Sequence, residues 1–172
     1  MNINPSYAAV AFVALCQIIA SRFINRMSYD SLAALRLRLR PRAWEAEGEI
    51  YQRVFRIRSW KDYVPSVGPF DKKDLKGGQS GYISLFILET VRAEFAHLVC
   101  LAIAYAVSVI CRHEISWIVP AFFTVINLPC IMIQRYNRPR FEKVLRKRGN
   151  PLTIPEDERK PRSQWIRNRG RM

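Results

Sequence analysis

The stretch at residues 115–140, ISWIVPAFFTVINLPCIMIQRYNRPR, decides the fold class of this chain. No Asp, Glu, Lys or Arg occurs up to Gln134, so its first part is an uninterrupted apolar run. A helix of about 20 such residues crosses a membrane core that is roughly 30 Å thick. Basic residues then follow at Arg135, Arg138 and Arg140. An apolar run that ends in arginines predicts a transmembrane helix with a positively charged boundary.

Two further apolar runs support the same interpretation. Residues 7–20 carry no charge, and residues 95–111 carry none when His97 is neutral. Three buried helices of a soluble protein are the alternative, but only residues 112–114 separate the second run from the third. So short a connection favours a helical hairpin that crosses the membrane twice. We therefore predict an all-α integral membrane protein with about three transmembrane helices, a single anchor and then a hairpin, at residues 6–24, 93–111 and 115–134.

The distribution of basic residues predicts the orientation of the chain. Its formal net charge is +14, and fourteen of its 28 Lys and Arg residues lie between Arg22 and Arg92. One lies in the short turn of the hairpin, and thirteen lie from Arg135 onward. Lys and Arg collect on the cytoplasmic side of a membrane. We therefore expect a multi-pass protein of the cell membrane, with its amino terminus outside and its carboxy terminus in the cytoplasm.

The length of 172 residues predicts one domain. We assign residues 1–150 to a single membrane-embedded domain that includes a cytoplasmic segment at residues 25–92. The basic tail at residues 151–172 contains several prolines, and we expect it to be disordered. The first apolar run lacks the positive residues that precede the core of a secretory signal, so we expect it to be a retained anchor.

The cytoplasmic segment combines basic, aromatic and aliphatic residues. Leu32, Leu35 and Leu39 lie among arginines and fit an amphipathic helix on the bilayer surface. Residues 35–40 also alternate like a strand, so both interpretations remain open. The stretch RVFRIRSWKDYVP, at residues 53–65, suits either an interfacial belt that binds anionic lipid or a seat for a phosphate-bearing substrate.

Candidate catalytic residues lie along the predicted hairpin. Glu94 and His97 are one helical turn apart and share a face. A hairpin centred near His113 places Asn127 opposite about Val99, close to the depth of His97. Ionisable groups at membrane depth are costly, so they are functional candidates by default.

These residue types predict acid–base chemistry. We expect His97 to act as a general base, Glu94 to orient its ring, and Asn127 or Arg135 to stabilise an oxyanion. The alternative is that Glu94 and Arg92 mark the membrane boundary while His97 forms a hydrogen bond within the helical bundle.

Three motifs carry a resemblance to a known family. They are QRYNRPR at residues 134–140, preceded by Asn127 and Pro129; RAEFAH at residues 92–97; and RIRSWK at residues 56–61. Their order and spacing resemble the glycosyl-4,4'-diaponeurosporenoate acyltransferase family, which completes staphyloxanthin-type carotenoids.

The resemblance covers about residues 51–148, and Phe141 departs from the leucine expected there. It implies a membrane O-acyltransferase that esterifies a sugar hydroxyl, the glucose 6-hydroxyl of a glycosylated carotenoic acid, with a fatty acyl chain. No bound cofactor is expected. The co-substrate would be an acyl thioester of coenzyme A or of an acyl carrier protein.

Basic and aromatic residues near the inner interface are the candidates for substrate binding. We expect the 134–140 stretch to turn the chain at the membrane surface and to form one wall of the site. The predicted substrate-binding residues are Arg56, Arg58, Trp60, Lys61, Arg92, Gln134, Arg135, Tyr136, Asn137, Arg138 and Arg140.

Other functional classes have weaker support. The chain lacks a Gly-rich dinucleotide fingerprint and a Gly-x-Ser-x-Gly elbow. Its four cysteines have no metal-ligand spacing, so we expect no metal site. A non-catalytic membrane scaffold subunit of a lipid or carotenoid pathway, or another small membrane enzyme acting on isoprenoid lipids, remains an alternative. The expected partners are the lipid bilayer, a glycosylated carotenoid or glycolipid acceptor and the acyl donor. Because three helices enclose little volume, a homodimer or a complex with a pathway enzyme is also expected; nucleic acid is not.

Overall fold

The computed structural model describes residues 5–64, 80–111 and 117–154, and this part of the chain contains helices and no strands. Its elements, in chain order, are α1 (Pro5–Asn25), α2 (Tyr29–Arg38), a 3-10 turn (Ala43–Gly48), α3 (Glu49–Phe55), α4 (Ile57–Trp60), α5 (Ser80–Cys111) and α6 (Ile118–Lys147). The predicted all-α class is therefore confirmed.

Two of these helices, α5 and α6, are long and apolar enough to cross a membrane. A third span exists if α1 and α2, which are bent by 110° at their break, count together as one. The predicted integral membrane fold with about three spans is thus confirmed as two or three. The helices extend beyond the predicted spans, because α5 already begins at Ser80 and α6 continues to Lys147.

The hairpin of α5 and α6 forms the centre of the molecule. Its register agrees closely with the predicted pairing, since His97 on α5 contacts Asn127 on α6 through atoms 2.8 Å apart. Nearer the turn, the Tyr105 hydroxyl lies 3.2 Å from the Thr124 hydroxyl. The connecting turn itself, at residues 112–116, lies outside the described residues.

The predicted turn at residues 134–140 is wrong, because α6 passes through this stretch without a break. Pro129 and Pro139 both lie inside the helix. A proline lacks the amide hydrogen that would bond the carbonyl four residues earlier, which here are those of Val125 and Arg135. The helix continues because the turns after Arg135 pack against α5 and bury their arginines in ion pairs.

The amino-terminal helices pack along α5. Gln17 donates to the Cys100 carbonyl at 2.9 Å and so ties α1 to α5. The prediction of a helix around Leu32 is confirmed by α2. Tyr29 and Leu32 of this helix are buried against Leu85 and Leu88 of α5. Burial of these apolar side chains holds α2 against α5.

The second half of the 3-10 turn is strained and lies against α6. Ala46, Glu47 and Gly48 have φ values of 46°, 54° and 87°. A Cβ atom on Gly48 would lie 3.1 Å from the Arg135 carbonyl oxygen and 3.2 Å from the Tyr136 Cα. Glycine is therefore needed at this position both for its left-handed conformation and for the close approach of two backbones.

The beginning of the predicted tail is ordered against the helices. Leu152 packs with Ile83, Ile87 and Leu145, and the Thr153 amide donates to the Ser84 hydroxyl at 3.3 Å. The remainder of that tail, residues 155–172, and residues 65–79 of the predicted cytoplasmic segment lie outside the described residues.

Candidate functional site

A histidine–asparagine pair joins the two long helices. The half-buried His97 ring has its Nδ1 atom 2.8 Å from Oδ1 of the buried Asn127. Asn127 Nδ2 in turn donates to the Phe123 carbonyl at 2.8 Å. Because a carbonyl only accepts, this bond orients the amide and leaves its oxygen to accept from His97 Nδ1–H. In the neutral ring, Nε2 then carries the lone pair and can accept a proton.

The expected contact between Glu94 and His97 is replaced by a different arrangement. The Glu94 carboxylate is fully buried and accepts from Arg135 Nη1 and Arg138 Nη2. Asn127 takes the ring-orienting position that was predicted for Glu94. A carboxylate at this depth is stabilised best by charged donors, and two guanidinium groups from α6 supply them. Periodicity places Glu94 and His97 on one face but cannot show that the partners of Glu94 lie on α6.

A second glutamate extends this ion-pair cluster. Glu45, in the 3-10 turn, is fully buried and binds Arg135 through both carboxylate oxygens. Arg135 thus links Glu45 to Glu94, and each of its three guanidinium nitrogens donates to a carboxylate. Tyr51 donates at 2.8 Å to Glu45 Oε2, the oxygen that also accepts from Arg135 Nε. We call Glu45, Glu94, Arg135 and Arg138 the buried ion-pair chain.

The protonation states of Glu45 and Tyr51 follow from this geometry. Burial disfavours the Glu45 carboxylate, but the hydrogen bond from Arg135 helps to outweigh burial, so the pKa of Glu45 lies below its ordinary value of 4.5. Burial, together with the hydrogen bond to Glu45, raises the pKa of the Tyr51 hydroxyl to about 12. At neutral pH Glu45 is therefore ionised and Tyr51 is a neutral donor.

Arg138 ends the buried ion-pair chain with only 1% of its surface exposed. Besides Glu94, its guanidinium contacts the Thr90 hydroxyl at 3.1 Å and the Leu39 carbonyl at 3.0 Å. All three of its nitrogens are thus engaged, as are those of Arg135. The structure places both arginines in internal ion pairs, in which every guanidinium nitrogen already donates to a protein acceptor.

Arg92, another predicted substrate-binding residue, connects α5 to the end of α1. It is 2% exposed, and its Nη1 atom donates to the carbonyls of Ile24, Asn25 and Met27 at 2.9–3.1 Å. These carbonyls lie at the end of α1, where a helix leaves acceptors without internal partners. Arg92 therefore caps α1 and holds it against α5.

Arg58, Tyr136 and Arg140 form a separate group where α4 meets α6. Arg58 Nε donates to the Tyr136 hydroxyl at 2.7 Å. The Arg140 guanidinium carbon lies 3.5 Å from the centroid of the Tyr136 ring, in a cation–π contact. Three of the predicted substrate-binding residues are thus brought together here.

The remaining predicted binding residues surround this group less closely. Arg56 is exposed between α3 and α4, and Lys61 pairs with Asp62 at 2.8 Å. Trp60 donates from Nε1 to the Phe55 carbonyl at 2.8 Å. Gln134 and Asn137 are half-buried on α6.

An apolar cavity of about 280 Å³ lies between the short helices and α6. It is lined by Phe55, Trp60, Thr124, Val125, Leu128, Pro129 and Met132. The cavity extends along α6 as far as Thr124, one helical turn from Asn127. It therefore reaches the depth of the histidine–asparagine pair. Among the described residues, no three His, Cys, Asp or Glu side chains converge as a metal site.

Glu45 and Tyr51 belong to the candidate site through their contacts with Arg135 and with each other, and the sequence analysis missed both. The only signal is the run of glutamates at positions 45, 47 and 49 within a strongly basic region. Glu47 and Glu49 are exposed, and only Glu45 is buried. Which of the three turns inward depends on the left-handed residues that follow it, and those conformations are not evident from the residue types.

Comparison with known proteins places the chain in a family. The family model for glycosyl-4,4'-diaponeurosporenoate acyltransferase matches residues 35–147, which include all the residues of the buried ion-pair chain as well as His97 and Asn127. A protein of that name from Staphylococcus haemolyticus is 32% identical over 122 residues, covering 68% of each chain. Its namesake from Staphylococcus aureus strain N315 is 30% identical over 112 residues, covering 60% of this chain and 65% of its own. No solved structure matches. The chain belongs to the glycosyl-4,4'-diaponeurosporenoate acyltransferase family, and the prediction of an acyltransferase is confirmed.

Proposed function

We propose that this chain is a membrane O-acyltransferase that moves a fatty acyl chain from a thioester to a sugar hydroxyl of a glycosylated carotenoid. The names of its relatives support the reaction class and the acceptor. The observation within the molecule that carries the proposal is the bond between His97 Nδ1 and Asn127, because it leaves Nε2 of the ring as a base. The half-buried position of His97 suits an acceptor whose polyene lies among the helices while its sugar stays near the interface.

The proposed reaction needs one proton transfer in each direction. The sugar hydroxyl oxygen attacks the thioester carbonyl carbon while His97 Nε2 takes the hydroxyl proton. The tetrahedral intermediate then collapses, the carbon–sulfur bond breaks, and the imidazolium returns the proton to the departing thiolate. The products are a sugar ester and a free thiol, so no oxidant, reductant or metal is consumed. Asn127 keeps Nδ1 protonated throughout and acts as a positioning residue.

The buried ion-pair chain lies next to this site, toward the carboxy-terminal end of α6. It crosslinks α5, α6 and the 3-10 turn within about two helical turns of His97. Because its charges are mutually satisfied, it holds the register of the two helices without exposing a competing nucleophile or base. We infer that its role is to fix the distance between His97 and Asn127.

The first experiment is pigment mass spectrometry. Cells that make a glycosylated carotenoic acid would express the wild-type chain, His97→Ala or Tyr105→Phe at equal membrane abundance. Tyr105→Phe is the matched control, because it removes another hydrogen bond between α5 and α6. We expect a product one acyl chain heavier from the wild type and the control. The yield from His97→Ala should be about a hundredfold lower or less. Equal amounts of ester from all three proteins would exclude His97 from the mechanism. If none of the three proteins formed ester, a glycosylated carotenoic acid would be excluded as the acceptor.

Asn127→Asp separates positioning from simple structural support. A carboxylate there would still accept from Nδ1–H, but it would also stabilise the protonated ring. The acid limb of the pH–rate profile should therefore move to higher pH by about one unit or more. A loss of activity without any shift in the profile would contradict the orienting role of Asn127.

The orientation is proposed on the charge distribution, with both large basic blocks in the cytoplasm and the amino terminus outside. Reporter enzymes fused to each terminus would locate the two ends. Reporters active on the same side of the membrane would refute this orientation.

A further inference from the structure

A row of side chains along α6 changes from apolar to basic, and we call this row the stripe. Its residues are Thr124, Leu128, Met132, Tyr136 and Arg140, which repeat every four positions and so form one of the inclined i, i+4 rows that wind along a helix. At 1.5 Å per residue, the stripe is about 24 Å long. The first three residues line the apolar cavity, and the last two belong to the arginine group at α4.

The basic end of this stripe holds two like charges close together. Arg58 and Arg140 both contact Tyr136, one through its hydroxyl and the other through its ring. Arg58 lies near enough to Arg140 to repel it, and the acidic neighbour that offsets this repulsion is the exposed Glu49. An arrangement with two guanidinium groups and one partly offsetting carboxylate is stabilised by an added anion.

Hydrogen-bond donors are also left over at this place. Arg140 Nη1 is buried and has no hydrogen-bond partner among the described residues. The Tyr136 hydroxyl accepts from Arg58 Nε, which leaves its own proton to donate. A buried donor without an acceptor costs free energy that a phosphate oxygen would recover. This second observation distinguishes the group from an ordinary solvated basic surface.

The apolar end has the opposite character and adjoins the group directly. Met132 and Trp60 line the cavity and also pack in the same cluster of side chains as Tyr136. A molecule that fills both ends must therefore carry a hydrocarbon chain and an anionic head.

We propose that the stripe binds one phosphate-bearing amphiphile, with its phosphate between Arg58 and Arg140 and its hydrocarbon chain in the cavity beside Leu128 and Met132. Two sources share this chemistry: the acyl thioester of coenzyme A and an anionic phospholipid. As a donor site the proposal rests on the proposed acyl transfer, whereas as a lipid site it does not. A bound thioester would run along α6 from Arg140 toward Asn127, about 20 Å away along the helix.

Binding of two defined probes would test the proposal. The full-length chain in neutral detergent would be titrated with S-hexadecyl coenzyme A, a thioether that cannot transfer its chain. In parallel, the chain would be taken from phosphatidylcholine nanodiscs containing phosphatidylglycerol, and the retained anionic lipid would be counted by native mass spectrometry. The variants are Arg58→Gln and Arg140→Gln. The control is Arg146→Gln, because Arg146 is an exposed arginine on the same helix.

One of the two probes is expected to bind the site. For that probe, the Kd should be about tenfold weaker in both variants and unchanged in the control. Binding of the thioether assigns the site to the donor, and arginine-dependent retention of phosphatidylglycerol assigns it to lipid. If neither probe distinguishes the two variants from the control, the proposal is overturned. If Arg140→Gln does not fold, the variant Arg58→Gln decides the outcome alone, because Arg58 is exposed. Arginine-dependent binding without ester formation would leave this site in place and remove the proposed function.

Discussion

Replacement of Glu94 by glutamine should destabilise the protein severely. Glu94 is fully buried and neutralises Arg138, which is 1% exposed, while it shares Arg135 with Glu45. The amide keeps the size of the side chain but leaves Arg138 as a buried cation without an ion-paired carboxylate, with only the more general attraction of Glu142 remaining. Loss of one member of a buried ion pair typically costs about 3–5 kcal/mol. A loss of this size would consume much of the stability of an average domain.

The chain offers a matched control for this substitution. Glu142 on α6 pairs with Arg36 on α2 at 2.7 Å, and the two side chains are 26% and 28% exposed. Glu142→Gln makes the same chemical change between helices, yet a solvent-accessible pair contributes only about 0–1 kcal/mol. Because Glu142 also attracts Arg138 without pairing with it, the difference between the two variants gives a lower bound on the effect of removing the buried partner.

Unfolding of the detergent-solubilised protein, followed by loss of helical circular dichroism, would measure both changes. A double-mutant cycle with Arg138→Gln adds a second criterion. Glu94→Gln and Arg138→Gln together should cost less than the sum of the single changes, because the double variant buries no unpaired charge. If Glu94→Gln were no worse than Glu142→Gln, or if the cycle showed no coupling, the buried ion-pair chain would not stabilise the hairpin as described here.

Two further predictions concern the loop that carries Glu45. Gly48→Ala should cost more than Gly149→Ala in a thermal unfolding comparison. Both positions have positive φ, which costs about 1–2 kcal/mol for alanine, but only Gly48 has α6 backbone atoms within 3.2 Å of the new Cβ; equal costs would contradict the close approach. Glu45→Gln should reduce stability at neutral pH and flatten the acid side of the stability profile. Because the folded-state pKa of Glu45 lies below 4.5, its ionised form contributes stability above that pH and loses it as the pH falls. An acid limb as steep in Glu45→Gln as in the wild type would refute this linkage.

The order of the hairpin was predictable because it depends on local pattern. Uncharged runs around residues 95–111 and 115–134 indicate two helices, and the three-residue separation makes them neighbours. The relative register of two neighbouring antiparallel helices is a single unknown. The position of the turn between them sets this register approximately. That is why the residue pattern alone puts His97 and Asn127 at nearly the same depth, as their contact confirms.

The partners of the charged residues were not predictable in the same way. Arg135, Arg138 and Arg92 look alike in the sequence, as basic residues beside apolar runs. In the structure they bind glutamates or helix-end carbonyls, whereas Arg58 and Arg140 both contact Tyr136 and form no ion pair among the described residues. The difference depends on which acceptors approach from distant parts of the chain, and no local period encodes that approach.

The sequence alone determined the helical class, the apolar hairpin, the family resemblance and the shared depth of His97 and Asn127. Each of these depends on hydrophobic pattern or on short-range spacing, which act within a few helical turns. Only the tertiary structure decided that α6 runs on through Pro139, that Glu45 is the glutamate that turns inward, and that Glu94 binds arginines rather than the histidine. These outcomes depend on the cost of burying charge, and that cost is lowest only where donors and acceptors from separate elements meet.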